Sequence, residues 1–162
     1  MVVLLAQSQG PASAPSALQR EAAAYARNAT LAYEWEGYPD GPLSEAKFAN
    51  DYLAAHEHTV LRPYLELFLL DRYRAAFEAA VYEIPLAGAE GHKGFDGPTA
   101  VAQRAAGYAA AQRLAAAKYR EVWTRLATTT DPVVRAIADE IDGVAFIYLN
   151  VGVHPRHIGT MR

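Results

Sequence analysis

Alanine is the feature that most limits what this chain can fold into, because about one residue in five is alanine. Alanine has the highest helix propensity, since its side chain loses no entropy when a helix forms. Its small side chain also lets two helices approach closely. The chain has 162 residues, the size of one domain, and 52% of them are hydrophobic, which is enough for a sizeable core. We therefore predict a single all-α domain.

Apolar residues recur at spacings of three and four, which is the pattern of helices with one buried face. This spacing, together with residues suited to helix caps, predicts about five helices, packed as stacked antiparallel hairpins. The predicted helices cover residues 16–36, 44–55, 59–82, 98–128 and 131–148. The third is apolar around most of its circumference, so we expect it to lie at the centre of the fold.

Three segments fall outside the helical pattern. Residues 83–98 are rich in glycine and proline and predict an irregular loop. We assign residues 16–148 to the helical domain, residues 1–15 to an extended arm and residues 149–162 to an extended C-terminal tail.

The first fifteen residues allow two interpretations. An apolar run at 1–6 is followed by Ala-Ser-Ala at 12–14, which is typical of the end of a secretory signal peptide. The basic segment that usually opens such a signal is missing, so an ordinary N-terminal arm is the alternative. Both a periplasmic or secreted location and a cytoplasmic one therefore stay open.

Composition excludes several classes of function. The net charge of −3 argues against a nucleic-acid partner, because such binding needs a basic surface. The chain has no cysteine, which excludes disulfides, thiolate metal sites and cysteine nucleophiles. No stretch reaches about 18 consecutive apolar residues, so we predict no integral membrane segment.

Two stretches of the chain are alike. One starts with Ala-Lys-Phe at 46–48 and the other with Ala-Lys-Tyr at 117–119. In each, the predicted helix ends about ten residues after the triplet begins, and a short polar turn leads into a second apolar helix. This is the pattern of a repeated helical hairpin, in which each unit buries its face on the next.

The stretch 49–59, with Pro-Tyr-Leu at 63–65 and Tyr-Arg-Ala-Ala-Phe at 73–77, resembles the repeat of tetratricopeptide-like helical-hairpin proteins of secreted bacterial type. Such repeats often carry a Tyr-Leu pair, a His-Pro turn and then a helix with small residues near its end. Here Glu57 stands where the turn proline would be.

The resemblance covers residues 44–82 and, more weakly, residues 113–147. It implies a scaffold that binds other proteins or itself. It brings no catalytic residues with it.

Polar residues on the central predicted helix form the first candidate site. Asp71, Arg74 and Glu78 share one strip at helical spacing, next to Arg72. They predict either a buried ion network beside a ligand or partner site, or a salt-bridged helix surface. The residues assigned to a ligand or partner site are Asp71, Arg72, Arg74, Glu78 and, from the glycine-rich loop, His92.

Histidines form the second candidate site. His56 and His58 flank a predicted turn, and His154 and His157 lie in the tail. Neutral imidazole is a common ligand of transition metals, so a zinc or nickel site is open if these residues converge. Their spacing matches no established metal motif, and no cofactor is predicted outright. The alternative is a set of exposed histidines in turns and loops.

The sequence leaves two functional hypotheses. The first is a noncatalytic helical module that binds a protein partner or assembles with itself. The second is a small-ligand-binding protein or a metal-dependent enzyme that uses the loop histidines. The lack of a nucleophile elbow, a phosphate-binding loop or a dinucleotide fingerprint favours the first.

Overall fold

The computed structural model describes residues 14–29, 38–87 and 97–149. Over these ranges the chain forms five helices and no strand, which confirms the predicted all-α class. Residues 1–13 and 150–162, which hold most of the predicted arm and tail, lie outside the described residues. The helices are α1 (Ala17–Asn28), α2 (Asp40–Ala55), α3 (Arg62–Ala87), α4 (Pro98–Leu126) and α5 (Pro132–Leu149).

Helix α3 lies at the centre, as predicted. It packs most extensively against α4, then against α2 and then against α5. Leu69, Leu70, Ala76 and Ala80 of α3 have no exposed surface. Burial on several sides of one helix needs neighbours on several sides, and α2, α4 and α5 supply them around α3.

Consecutive helices run antiparallel. The guanidinium of Arg125, near the end of α4, donates from Nε to Glu66, near the start of α3, at 3.0 Å. A second contact of this kind lies at the α4–α5 turn. Arg135 Nη1, near the start of α5, donates to the carbonyl of Ala127, just after the end of α4, at 2.7 Å. The helices thus pack as successive antiparallel hairpins, in agreement with the predicted architecture.

Two predicted helix starts are confirmed by their capping bonds. Ser16 and Gln19 form a reciprocal capping box at the start of α1. At α5, Asp131 Oδ1 accepts the backbone N–H groups of Val133 and Val134 at 2.8 and 3.1 Å. Each cap satisfies N–H groups that have no acceptor within the helix.

The predicted start of α2 at Ser44 is wrong by about one turn. The helix begins at Asp40 and includes Gly41 and Pro42 in its first turn. A proline is tolerated there because N–H groups of the first turn have no partner within the helix. Ser44 lies inside the helix, where its hydroxyl donates to the carbonyl of Gly41 at 2.7 Å.

Two helix ends also differ from the prediction. α1 ends at Asn28 rather than near residue 36. The side-chain amide of Asn28 donates to the carbonyl of Ala24, which gives a hydrogen-bond partner to a carbonyl of the last turn. α3 continues through Pro85 to Ala87, where the prediction had a loop. Pro85 has no N–H and so removes one helical hydrogen bond, and the helix ends two residues later.

A buried polar pair joins α4 to α5. The hydroxyl of Tyr119 donates to Asp142 Oδ1 at 2.9 Å, and neither residue has exposed surface. Burial, the charge of Asp142 and this hydrogen bond together raise the pKa of Tyr119 far above its usual value. The tyrosine therefore stays protonated and supplies a hydrogen-bond donor to a carboxylate inside the core.

Tyr119→Phe is expected to lower the free energy of unfolding by about 1–3 kcal/mol, because a fully buried carboxylate loses one of its hydrogen-bond donors. Urea unfolding of both proteins followed by circular dichroism measures the difference. Tyr64→Phe is the control, since Tyr64 is 45% exposed and its change should cost less than about 0.5 kcal/mol. Equal losses for the two variants would contradict the assigned role of the Tyr119–Asp142 bond.

Candidate functional site

The four predicted polar residues of α3 do come together. Arg74 bridges its own helix, donating to Asp71 Oδ1 at 3.0 Å and to Glu78 Oε2 at 3.1 Å. Arg72 also donates to Asp71 and reaches across to α2, where its Nη1 lies 3.0 Å from Glu45 Oε2. The result is a five-residue ion network that spans two helices.

The environment of this network shifts two pKa values. Burial by itself would raise the pKa of Asp71, but hydrogen bonds from Arg72 and Arg74 outweigh it and hold the pKa below its usual range. Burial by itself would lower the pKa of Arg72, but its hydrogen bonds to Asp71 and Glu45 outweigh the effect of burial. The pKa of Arg72 is therefore raised. Both shifts favour the charged forms, which stabilises the ion pairs.

Both structural alternatives from the sequence apply to this network in part. The Asp71–Arg74–Glu78 strip is a salt-bridged helix surface, whereas Glu45 is only 7% exposed. The charged groups of the network bind one another, which supports a role for the network in joining α2 to α3. A ligand or partner bound by Asp71, Arg72, Arg74 and Glu78 stays a prediction, and His92 lies outside the described residues.

Glu45 is the member that sequence reasoning missed. The sequence does carry a signal for this residue. Glu45 precedes Ala49 by four residues and Leu53 by eight, so it shares a helix face with these two buried residues. A carboxylate on the apolar face of a helix indicates a cationic partner on the neighbouring helix.

The structure places His56 and His58 at the α2–α3 turn, where both are exposed. The ring of His56 stacks on Tyr52 with centroids 4.0 Å apart, and its Nδ1 lies 2.9 Å from the carbonyl of Tyr52. Within the described ranges, no group of three or more metal-ligating side chains could hold an ion. His154 and His157 lie outside those ranges, so a zinc or nickel site that includes them stays an open alternative and no cofactor is predicted.

A groove lies between α2 and α4, above α3. Its volume is about 230 Å³, and its floor includes Tyr73 of α3, which is 6% exposed. The amide of Asn50 donates to the Tyr73 hydroxyl at 2.8 Å. The lining residues are Leu43, Lys47, Asn50, Tyr73, Leu114 and Lys118.

An apolar strip lies on the outer face of α5. Val133 is 63% exposed and Ile137 is 44% exposed, although they lie on a helix whose inner face buries Val134 and Ala138. Exposed Ala136 lies between them. Residues four apart share a helix face, so Val133 and Ile137 form one continuous surface. We refer to Val133, Ala136 and Ile137 as the α5 strip.

Comparison with known proteins identifies no matching family model, no similar curated protein and no similar solved structure. The tetratricopeptide-like resemblance of residues 44–82 therefore stays a prediction. Among the described residues, no helix is long and apolar enough to cross a membrane.

A double-mutant cycle measures the bond between α2 and α3. Arg72→Met and Glu45→Gln are each expected to destabilise the chain, with a coupling energy of about 1–3 kcal/mol, because Glu45 is buried beside its cation. The matched control is Lys47→Met with Asp51→Asn, an ion pair whose side chains are 75% and 63% exposed. A coupling energy for Arg72–Glu45 no larger than that of this surface pair would contradict the structural role.

The lowered pKa of Asp71 predicts acid sensitivity. Its contribution to stability is complete above the unfolded pKa of about 3.9, and is lost as the pH falls from there through the lower folded pKa. Asp71→Asn should therefore lose less stability between pH 7 and pH 3, in urea unfolding, than the unmodified chain does. Asp51→Asn, at an exposed carboxylate, is the control. An unchanged acid response in Asp71→Asn would contradict the assignment.

Proposed function

We propose that this chain is a noncatalytic helical interaction module that associates with a second copy of itself through the α5 strip. The single observation that carries the proposal is the pair of exposed apolar side chains at Val133 and Ile137. When a second surface covers apolar side chains that are exposed to water, the free energy falls, which favours association.

The arrangement of the strip suits a two-fold contact. In an antiparallel pair of α5 helices, Val133 of each copy meets Ile137 of the other, so one surface serves both partners. Ala136 lies between these two anchors and its small side chain allows the helices to approach closely. Most soluble oligomers are symmetric homo-oligomers, which favours a second copy as the partner.

The ion network of α2 and α3 supports a noncatalytic role. Asp71, Arg72, Arg74 and Glu78 are engaged with one another and with Glu45. Catalytic acids and bases, by contrast, face a space where a substrate can reach them. The interaction function also agrees with what the tetratricopeptide-like resemblance implies.

Sedimentation equilibrium of the full chain tests the proposal. The strip is small compared with stable interfaces, so we expect a weak dimer with a dissociation constant of roughly 0.1 mM. The double variant Val133→Glu/Ile137→Glu should shift the chain to a monomer, because each contact would then bury two carboxylates without partners. Thermal unfolding of the variant checks that the fold is retained.

Leu114→Glu is the control variant for this experiment. Leu114 is 48% exposed and lies on α4, away from the α5 strip, so its change should leave the mass unaltered. A monomeric mass for the unmodified chain at about 1 mM, well above the expected dissociation constant, would overturn the proposal. So would a dimer that persists in the Val133→Glu/Ile137→Glu variant.

A further inference from the structure

The groove between α2 and α4 differs in character from the α5 strip. Leu43 and Leu114 supply apolar walls from two different helices, and Tyr73 forms the floor. The volume of about 230 Å³ lies below the range usual for drug-sized ligands. At the packing density of protein interiors, it accommodates a molecule of roughly ten non-hydrogen atoms.

Two lysines lie along the groove. Lys47 lines it from α2 and Lys118 lines it from α4, and no acidic residue is among the lining residues. These lysines belong to the two Ala-Lys-aromatic triplets at 46–48 and 117–119, which the fold brings to the same groove.

Each lysine already has a carboxylate neighbour on its own helix. Lys47 Nζ lies 2.5 Å from Asp51 Oδ2, and Lys118 Nζ lies 2.7 Å from Glu121 Oε2. The side chains of both pairs are between 43% and 75% exposed. Such pairs contribute little to stability, so a carboxylate bound in the groove can replace them at small cost.

The floor supplies a polar group as well. The Tyr73 hydroxyl accepts a hydrogen bond from the Asn50 amide at 2.8 Å, and that amide also donates to the carbonyl of Ala46 at 2.7 Å. The position of the hydroxyl is thereby fixed, and within the described ranges no residue accepts its proton. A fixed hydroxyl donor beside two partly exposed lysine side chains complements a carboxylate.

We propose that this groove binds a small amphipathic carboxylate, such as a fatty acid of about eight carbons. Leu43 and Leu114 contact the alkyl chain, and the ammonium groups of Lys47 and Lys118 attract the carboxylate. The size of the groove limits the chain length, and the lysines select the anion over a neutral molecule of the same shape. This binding is independent of self-association through α5.

Titration of the full chain with octanoate, followed by changes in amide chemical shifts, tests the site. At roughly ten contacting atoms the dissociation constant is expected between about 0.1 and 1 mM. The shifts should map to residues around the groove. 1-Octanol, which keeps the alkyl chain, and propionate, which keeps the carboxylate, should each bind at least fivefold more weakly than octanoate.

The double variant Lys47→Gln/Lys118→Gln should weaken octanoate binding about five- to tenfold, because it removes two exposed positive charges that attract the carboxylate. It should leave the binding of 1-octanol unchanged, since 1-octanol carries no charge. Arg120→Gln is the matched control, since Arg120 is an exposed cation of α4 that does not line the groove. Leu114→Glu should abolish octanoate binding while Val133→Glu leaves it intact, which separates this proposal from self-association through α5.

Four results would overturn the ligand proposal. The first is the absence of chemical-shift changes at the groove with millimolar octanoate. The second is equal affinity for octanoate and 1-octanol, and the third is unchanged octanoate affinity in the lysine variant. The fourth is a molar mass that rises with protein concentration and that Leu114→Glu lowers, which would show a second copy of the chain in the groove.

Discussion

The burial of α3 on several sides is the constraint on which the rest of the structure depends. A helix buried in this way must contact other helices in several directions, and alanine makes that possible at short distance. Ala75, Ala76, Ala79 and Ala80 are all at most 8% exposed, so the second half of α3 presents small side chains to its neighbours. In this half of α3, alanine therefore contributes through close packing as well as through helix propensity.

Polar contacts hold the surrounding helices in position around this centre. Each joins two helices: Arg72 with Glu45, Arg125 with Glu66, and Tyr119 with Asp142. The positive charge of Arg74 acts on Tyr119 in the direction that lowers its pKa, so the α3 network also interacts electrostatically with the α4–α5 pair. Buried polar groups that are paired in this way favour one arrangement of helices among many that an alanine-rich surface would allow.

Local sequence signals predicted much of this fold. Caps at Ser16 and Asp131 and the apolar spacing of α3 act within one helix, so the sequence shows them directly. The start of α2 was missed because glycine and proline at 41–42 usually interrupt helices, whereas here they occupy a first turn. The candidate site was harder to predict, because Glu45 acquires its role from Arg72, which lies 27 residues further along the chain.

The same packing explains why a groove and an exposed strip remain on the surface. α2 and α4 both pack on α3, and the space between them is closed at its floor by Tyr73 but not at its top. α5 contacts α3 and α4 with its inner face, which leaves Val133 and Ile137 on the opposite side. The two surfaces also differ in chemistry, because lysines border the groove while the centre of the strip is apolar. An anion would therefore favour the groove and a second apolar helix the strip, so one small domain can offer two independent binding surfaces.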